Sequence, residues 1–314
     1  MKKALVIAGG ILLVGLAAIY VLIPSKLNIV VVLPVKCNVE AADRSLRDTA
    51  NRTKWWGDQD NGAVCCQVTG LFRRMVDVMI DDGGTGLPSR LSVVPSIRID
   101  SCLLRWEAGF SSGLNPIARI ERYQQAKKLG AVMQGILSRL GSRLEDQRLV
   151  YGMVITEGNT MDSALVSTER IFDHYPSDSV IYSLIGKLRL FVGQNGGHET
   201  GYPMLNVTKE LQGRCKVEVG VPIDGYMNGK GSIHWRRLIR VVFLEADVRG
   251  GDRTVRKAVS QMANYISDYQ RTVMAIPYQS LITDRMKERD TTKWVTRLYV
   301  PVFPIHPVNG LGRS

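Results

Sequence analysis

Arg297 and Tyr299 stand two residues apart in the stretch TRLYVPV, residues 296–302, whose alternating pattern predicts a β-strand. Strand side chains alternate between faces. If Thr296, Leu298 and Val300 pack on a core, then Val295, Arg297 and Tyr299 share the opposite face. A planar guanidinium beside a phenol suits a carboxylate or phosphate carried by an aromatic or amphiphilic molecule. The ending Val300-Pro301 has an earlier counterpart in Val221-Pro222, and aligning the two sets Glu218 in the place of Arg297. Three readings stay open: Glu218 and Arg297 form an ion pair that fills the groove, Arg297 is free to hold an acidic ligand, or it simply faces water. Of the aromatic residues nearby in sequence, Phe243 and Tyr299 fall on the Arg297 side. With Glu245 and Trp235 they complete a candidate ligand-binding set of Arg297, Tyr299, Glu218, Phe243, Glu245 and Trp235. Tyr265 lies in a helical stretch and is expected to pack.

Covalent or acid–base chemistry finds less support. Glu218 or Glu245 could act as a general base in a hydrolase or cyclase. An arginine opposite such a carboxylate stabilises its ionised form, which makes a weak base. The stretch Gly225–Ser232 is one residue short of phosphate-loop spacing, and its Lys230 is followed by glycine, so it reads as a link between repeated halves. His198-Glu199 has no second histidine four residues on, and His174, His198, His234 and His306 are scattered. Ser111-Ser112-Gly113 lacks the frame of a nucleophile elbow. Cys37, Cys65, Cys66, Cys102 and Cys215 show no metal-ligand spacing. No catalytic residue, metal site or cofactor is expected.

The elements that must position the candidate set follow from an internal repeat. One half runs strand (164–172), helix (177–194), strand (204–208) and strand (215–221), and the other runs strand (238–248), helix (253–269), strand (278–283) and strand (295–300). Both helices are followed by a proline, Pro203 or Pro277, and both final strands end in Val-Pro. Two β-α-β-β units imply a pseudo-twofold domain with one curved antiparallel sheet and both helices on its convex face. Upstream, a strand (27–35), a helix (39–56) and β-like runs around 64–69, 72–80, 91–94 and 102–110 precede a long helix opened by Asn115-Pro116, with Gly83–Gly86 as a hairpin tip. The fold class is α+β.

The 314-residue chain carries a net charge of +12, which raises the question of nucleic acid. The excess is spread evenly, about +4 over residues 27–148 and +4 over 149–303, with the rest on Lys2, Lys3, Lys26 and Arg313. No basic run or basic–aromatic stripe occurs, so no nucleic-acid partner is expected. Residues 4–23 carry no charge and follow Lys2-Lys3. Such a run predicts an uncleaved transmembrane anchor over 4–23 rather than a signal peptide cut near Gly15 or Ala17, because it continues through Ile19–Ile23. The lysines place the bulk outside the cytoplasm, with Lys26 and Lys36 arguing against.

Two family resemblances add to this reading. The strand 27–35, the helix ending Thr53-Lys54-Trp55-Trp56 and the opening Leu114-Asn115-Pro116 resemble the START-like (SRPBCC, polyketide-cyclase-like) superfamily over about residues 27–148. That resemblance implies a helix-grip fold holding an apolar molecule between the sheet and the long helix. Arg249-Gly250-Gly251, Tyr265, Ile276-Pro277 and Leu298–Val302 resemble the GyrI-like small-molecule-binding domain, also called the AraC-type effector-binding domain, over about 160–303. It implies a groove for amphiphilic or aromatic ligands. Drug-binding members carry a glutamate where this chain has Arg297, so the sign is reversed, and some relatives hydrolyse reactive small molecules. The tandem resembles a bacterial membrane-protein arrangement. The whole reads as a membrane-tethered, non-catalytic protein that binds or senses an amphiphilic or aromatic small molecule, followed by a flexible tail at 304–314. The alternatives are a hydrolase or cyclase, and a structural partner-binding protein with filled grooves.

Overall fold

The computed structural model describes residues 2–48, 65–81, 86–159, 163–210, 213–238 and 241–304. The expected helix end at Trp55-Trp56, the hairpin tip at 83–85 and residues 305–314 of the expected tail lie outside the described residues. The chain divides into two compact units, Met1–Val150 and Tyr151–Ser314.

The first unit opens with helix α1 (Lys2–Leu22). Among the described residues no helix is long and apolar enough to cross a membrane, which overturns the anchor expected at 4–23 and with it the membrane localisation. Among the described residues, only the C-terminal end of α1 packs on the rest of the first unit; Ile7, Ile11, Leu13, Val14, Val21 and Leu22 are exposed. Ile19 and Ile23 pack with Leu27, Phe110, Tyr123 and Ala126. The Arg119 guanidinium donates to the Ile23 carbonyl at 2.7 Å and lies over the Tyr20 ring.

The next elements are β1 (Lys26–Val35), α2 (Val39–Arg47), β2 (Cys65–Phe72), β3 (Met75–Asp81), β4 (Leu87–Pro95), β5 (Cys102–Ser111) and α3 (Pro116–Glu145). The strands form an antiparallel sheet in the order β1-β5-β4-β3-β2. The Asn115 side chain accepts from the Ile117 and Ala118 amides, so two of the free N–H groups at the start of α3 are satisfied where Pro116 has none to offer. Leu129, Met133, Ile136, Leu137, Leu140 and Leu144 form the buried stripe of α3. At Gly141 a Cβ would come within 2.8 Å of Leu33 Cδ2, so glycine lets the helix approach β1 closely. Trp106 is fully buried on this side and donates its indole N–H to Ser89 Oγ at 3.0 Å. On the other face a concavity of about 640 Å³ is bordered by Asp77, Arg90, Arg105 and Glu107, which pair as Asp77–Arg90 and Arg105–Glu107.

A short helix, α4 (Gln147–Tyr151), leads to the second unit. There β6 (Thr156–Asn159), β7 (Ser163–Phe172), α5 (Asp178–Gln194), β8 (Met204–Lys209), β9 (Cys215–Ile223), β10 (Ile233–Leu238), β11 (Val242–Arg249), α6 (Asp252–Asp268), β12 (Tyr278–Leu281) and β13 (Val295–Val302) follow. One eight-stranded sheet has the order β10-β7-β9-β8-β12-β13-β11-β6. That order reads symmetrically outward from the β8/β12 seam: β9 matches β13, β7 matches β11, and β10 and β6 take the two edges. The repeat is therefore β7-α5-β8-β9 and β11-α6-β12-β13. The strand expected over 238–248 is β11, and before it stands a strand that was not expected, β10, which pairs with β7 at one end of the sheet while β11 pairs with β13 near the other.

The two helices bury unequal side chains. Under α5, Ile181, Leu184, Ile185, Leu188, Phe191 and Val192 join Val217, Val219 and Val221 in a continuous core. Aligned on their first residues, Asp178 and Asp252, the two helices pair Leu184 with Ala258, Ile185 with Val259 and Leu188 with Met262. Ile185 is fully buried, whereas Val259 is 46% exposed. Close packing is thus met beneath α5 and relaxed beneath α6.

Candidate functional site

The volume missing beneath α6 is a cavity of about 550 Å³. Val259, Met262, Ala263 and Ile266 of α6 form one wall. Leu205 and Val207 of β8 with Leu298 and Val300 of β13 form the other. Tyr278 and Tyr299 border it at the seam, where β12 meets β8 through only Gln279↔Leu205 and Ser280↔Met204. The short β12 leaves the rest of β8 without a neighbour on that side, which opens the sheet where the two halves meet. Lys209 is the one charged residue lining the cavity, and among the described residues it makes no ion pair. An apolar chamber of this size with a few polar groups suits a small organic molecule.

The candidate set from the sequence is only partly brought together. The face away from the helices carries a row of aromatic rings. Tyr278 stacks on Tyr299 with centroids 4.8 Å apart, and Phe243 meets Tyr299 edge-on at 4.9 Å. Burial pushes the Tyr278 phenol up to about 12, with Tyr299 and Glu245 adding to it, so it stays a hydrogen-bond donor at neutral pH. Glu245 is registered opposite Tyr299 and accepts from Thr156 Oγ1 at 3.4 Å. Trp235 lies elsewhere: it packs on the core beneath α5, stands edge-on to Tyr226 at 4.9 Å, and donates to the Gly225 carbonyl.

Glu218 and Arg297 do not meet. Equivalence in a repeat is not proximity: β8 and β12 lie between β9 and β13, and three interstrand spacings amount to about 14 Å. Each residue has another partner. Arg297 is registered opposite Asp247 and holds it through two hydrogen bonds, 2.5 Å from Nε and 3.0 Å from Nη2. Glu218 Oε1 pairs with Arg236 Nη2 at 3.1 Å. Of the three readings left open for Arg297, neither the pair with Glu218 nor a free guanidinium is found: Asp247 neutralises it.

The Asp247 carboxyl is held below its ordinary range, mainly by the hydrogen bonds from Arg297, with burial opposing and the charges of Arg297 and Arg249 assisting. A lowered folded-state value means that the stabilisation is complete above the unfolded-state pKa near ~4 and disappears as the pH falls through the folded value. Asp247→Asn is therefore expected to show a shallower loss of urea stability than the wild type below about pH 4. Parallel curves for the two proteins in that window would rule out the linkage.

The cavity-lining residues of α6, and Val207 and Lys209 of β8, were outside the set expected from sequence, and so was Arg236. The signal that could have found the first group is the large-to-small replacement between the two helices once aligned. Burial pushes the Cys102 thiol up to about 11, and among the described residues no metal-binding cluster of His, Cys, Asp or Glu occurs.

No protein-family model matches the chain, and no curated protein matches it by sequence. Solved structures similar to it include EcmrR in complex with DNA, at 17% identity and TM-score 0.45, covering 62% of this chain and 73% of that one. SAV2435 bound to tetraphenylphosphonium is similar at 15% identity and TM-score 0.33, covering 48% and 94%. A hydrolase from Listeria innocua is similar at 8% and 0.37, covering 47% and 91%. At such scores these likenesses carry no argument about function. The START-like reading of residues 27–148 finds no support among them.

Proposed function

We propose that the second unit is a GyrI-like small-molecule-binding domain, covering about residues 160–303 together with β6, and that its ligand lies in the cavity beneath α6. The observation that carries this reading is the cavity itself, about 550 Å³ at the seam of two β-α-β-β halves, in the place where the companion helix α5 buries a full core. Its lining is apolar with two tyrosines, which favours an aromatic or amphiphilic molecule. Lys209 at the edge favours a neutral or acidic one over a cation. Arg297 does not supply that preference, since Asp247 engages it on the other face.

Three fluorescent or spectroscopically silent probes test the reading with the full chain: anilinonaphthalene sulfonate (anion), Nile red (neutral) and tetraphenylphosphonium (cation). Each is followed by the rise in melting temperature that a ligand bound only to the folded state must cause. The anion and the neutral dye are expected to stabilise the protein, and the cation several-fold less effectively. Lys209→Glu should weaken the anion by about tenfold and leave the neutral dye unchanged, the scale of reversing one exposed charge near a ligand. If none of the three raises the melting temperature, the ligand-binding reading fails. If the cation binds best, the assignment of charge preference to Lys209 fails.

A further inference from the structure

A second cavity, about 130 Å³, lies on the face of the sheet turned away from α5 and α6. Strand alternation brings Ser167 of β7, Glu218 and Gly220 of β9, and Arg236 of β10 to it, with Ser167 registered between Gly220 and His234. Ser167 is 1% exposed, and its Oγ has no hydrogen-bond partner. Native proteins pair nearly all buried polar side-chain atoms, and a valine or alanine would fill this strand position without that penalty. A Cβ at Gly220 would come 3.0 Å from Leu165 Cδ1, so glycine there lets the Leu165 side chain lie across β9 beside the cavity. The neighbouring charges cancel: Glu218 and Arg236 are paired, leaving a spare carboxylate oxygen as acceptor and spare guanidinium N–H groups as donors. Leu165, Met204 and Leu238 supply an apolar side.

We infer that this cavity is a binding site for a small neutral carboxamide on an apolar or aromatic body, with Ser167, Glu218 and Arg236 engaging the amide. A primary amide donates and accepts in one plane and can use all three groups at once. A carboxylate would meet Glu218 and an amidinium would meet Arg236, so either charge is penalised where the amide is not. An apolar cavity of about 150 Å³ accepts benzene; at about 130 Å³ this one takes the amide group with only part of an aromatic body, the rest lying at its mouth. Ser167, Glu218 and Arg236 line this cavity and not the α6 cavity, although Leu205, Asn206 and Tyr278 border both.

The test uses the full chain and three probes of one shape: benzamide, benzoate and benzamidinium, titrated by protein NMR with the methyl signals of Leu165, Met204 and Leu238 as reporters. Benzamide is expected to shift all three, and the two ions to bind at least tenfold more weakly. Ser167→Ala should weaken benzamide by about three- to tenfold, the loss of one hydrogen bond, while the melting temperature stays level or rises because an unpaired hydroxyl has been removed. Three results overturn the proposal: equal benzamide affinity in wild type and Ser167→Ala, an ion binding as well as the amide, or a melting temperature several degrees lower in Ser167→Ala. Ala263→Trp, which fills the other cavity, should leave benzamide binding intact, so that failure of one site is not mistaken for failure of the other.

Discussion

Replacing Arg285 by alanine is expected to destabilise the second unit by about 3–5 kcal/mol. The side chain is 2% exposed and reaches the first residue of both repeated helices, with Nη1 2.8 Å from Asp178 Oδ1 and 2.9 Å from Asp252 Oδ1. Its Nη2 donates to Thr296 Oγ1 at 3.0 Å, and its guanidinium lies 4.9 Å from the centre of the Trp294 ring. Burial works against the charge, but the hydrogen bonds and charges of the two aspartates outweigh it and raise the pKa. Removing the arginine leaves two carboxylates facing each other with no cation between them, which is the costly way to break a buried pair. The helix N-termini offset part of that cost, since each aspartate sits in a first turn. Urea unfolding of the wild type and of Arg285→Ala measures the difference. Double replacement of Asp178 and Asp252 by asparagine in the Arg285→Ala background should recover part of the loss. A change below about 1 kcal/mol would mean that the network contributes no more than an exposed ion pair.

Ala263→Trp is expected to abolish binding of the neutral and anionic dyes, by at least about thirtyfold, with little change in the melting temperature of the free protein. Ala263 belongs to the α6 wall of the cavity and is solvent-exposed through it. An indole there enters space that is already empty, so the overpacking penalty of about 1–3 kcal/mol met in a filled core does not arise. Helix propensity costs a few tenths of a kcal/mol more. The same substitution made at a position of α5 that faces Leu188 and Phe191 would find no room. Undiminished dye binding by Ala263→Trp, measured by fluorescence titration, would place the dye elsewhere.

Much of the second unit is legible in its sequence. The Val-Pro strand ends and the prolines after each helix announce the repeat, and the sheet order around the β8/β12 seam displays it. The alternation in 296–302 also separates the faces correctly: Thr296, Leu298 and Val300 are buried, while Val295, Arg297 and Tyr299 are less so. What alternation cannot supply is the partner across the strands. Asp247 faces Arg297 because β11 and β13 are registered fifty residues apart in sequence, a pairing fixed by the whole sheet. Repeat alignment instead pointed to Glu218, which is equivalent in the fold and distant in space. Asn115-Pro116 marked the start of α3 because a cap is a local device. The apolar run at 4–23 reads as an anchor on hydropathy alone, whereas among the described residues no helix is long and apolar enough to cross a membrane. The cavity depends on small differences in volume between two aligned helices, and neither helix shows it alone.

The ligand of the second unit is proposed to lie between α6 and the sheet. Methyl NMR spectra of the full chain, recorded as anilinonaphthalene sulfonate is added, test it most directly, because the two faces of the sheet carry different reporters. The methyl signals of Val207, Val259, Met262 and Ile266 are expected to shift together and saturate, while those of Leu165 and Leu238 on the other face stay in place. Shifts confined to Leu165 and Leu238, or no saturable shift at the α6 residues, would contradict it.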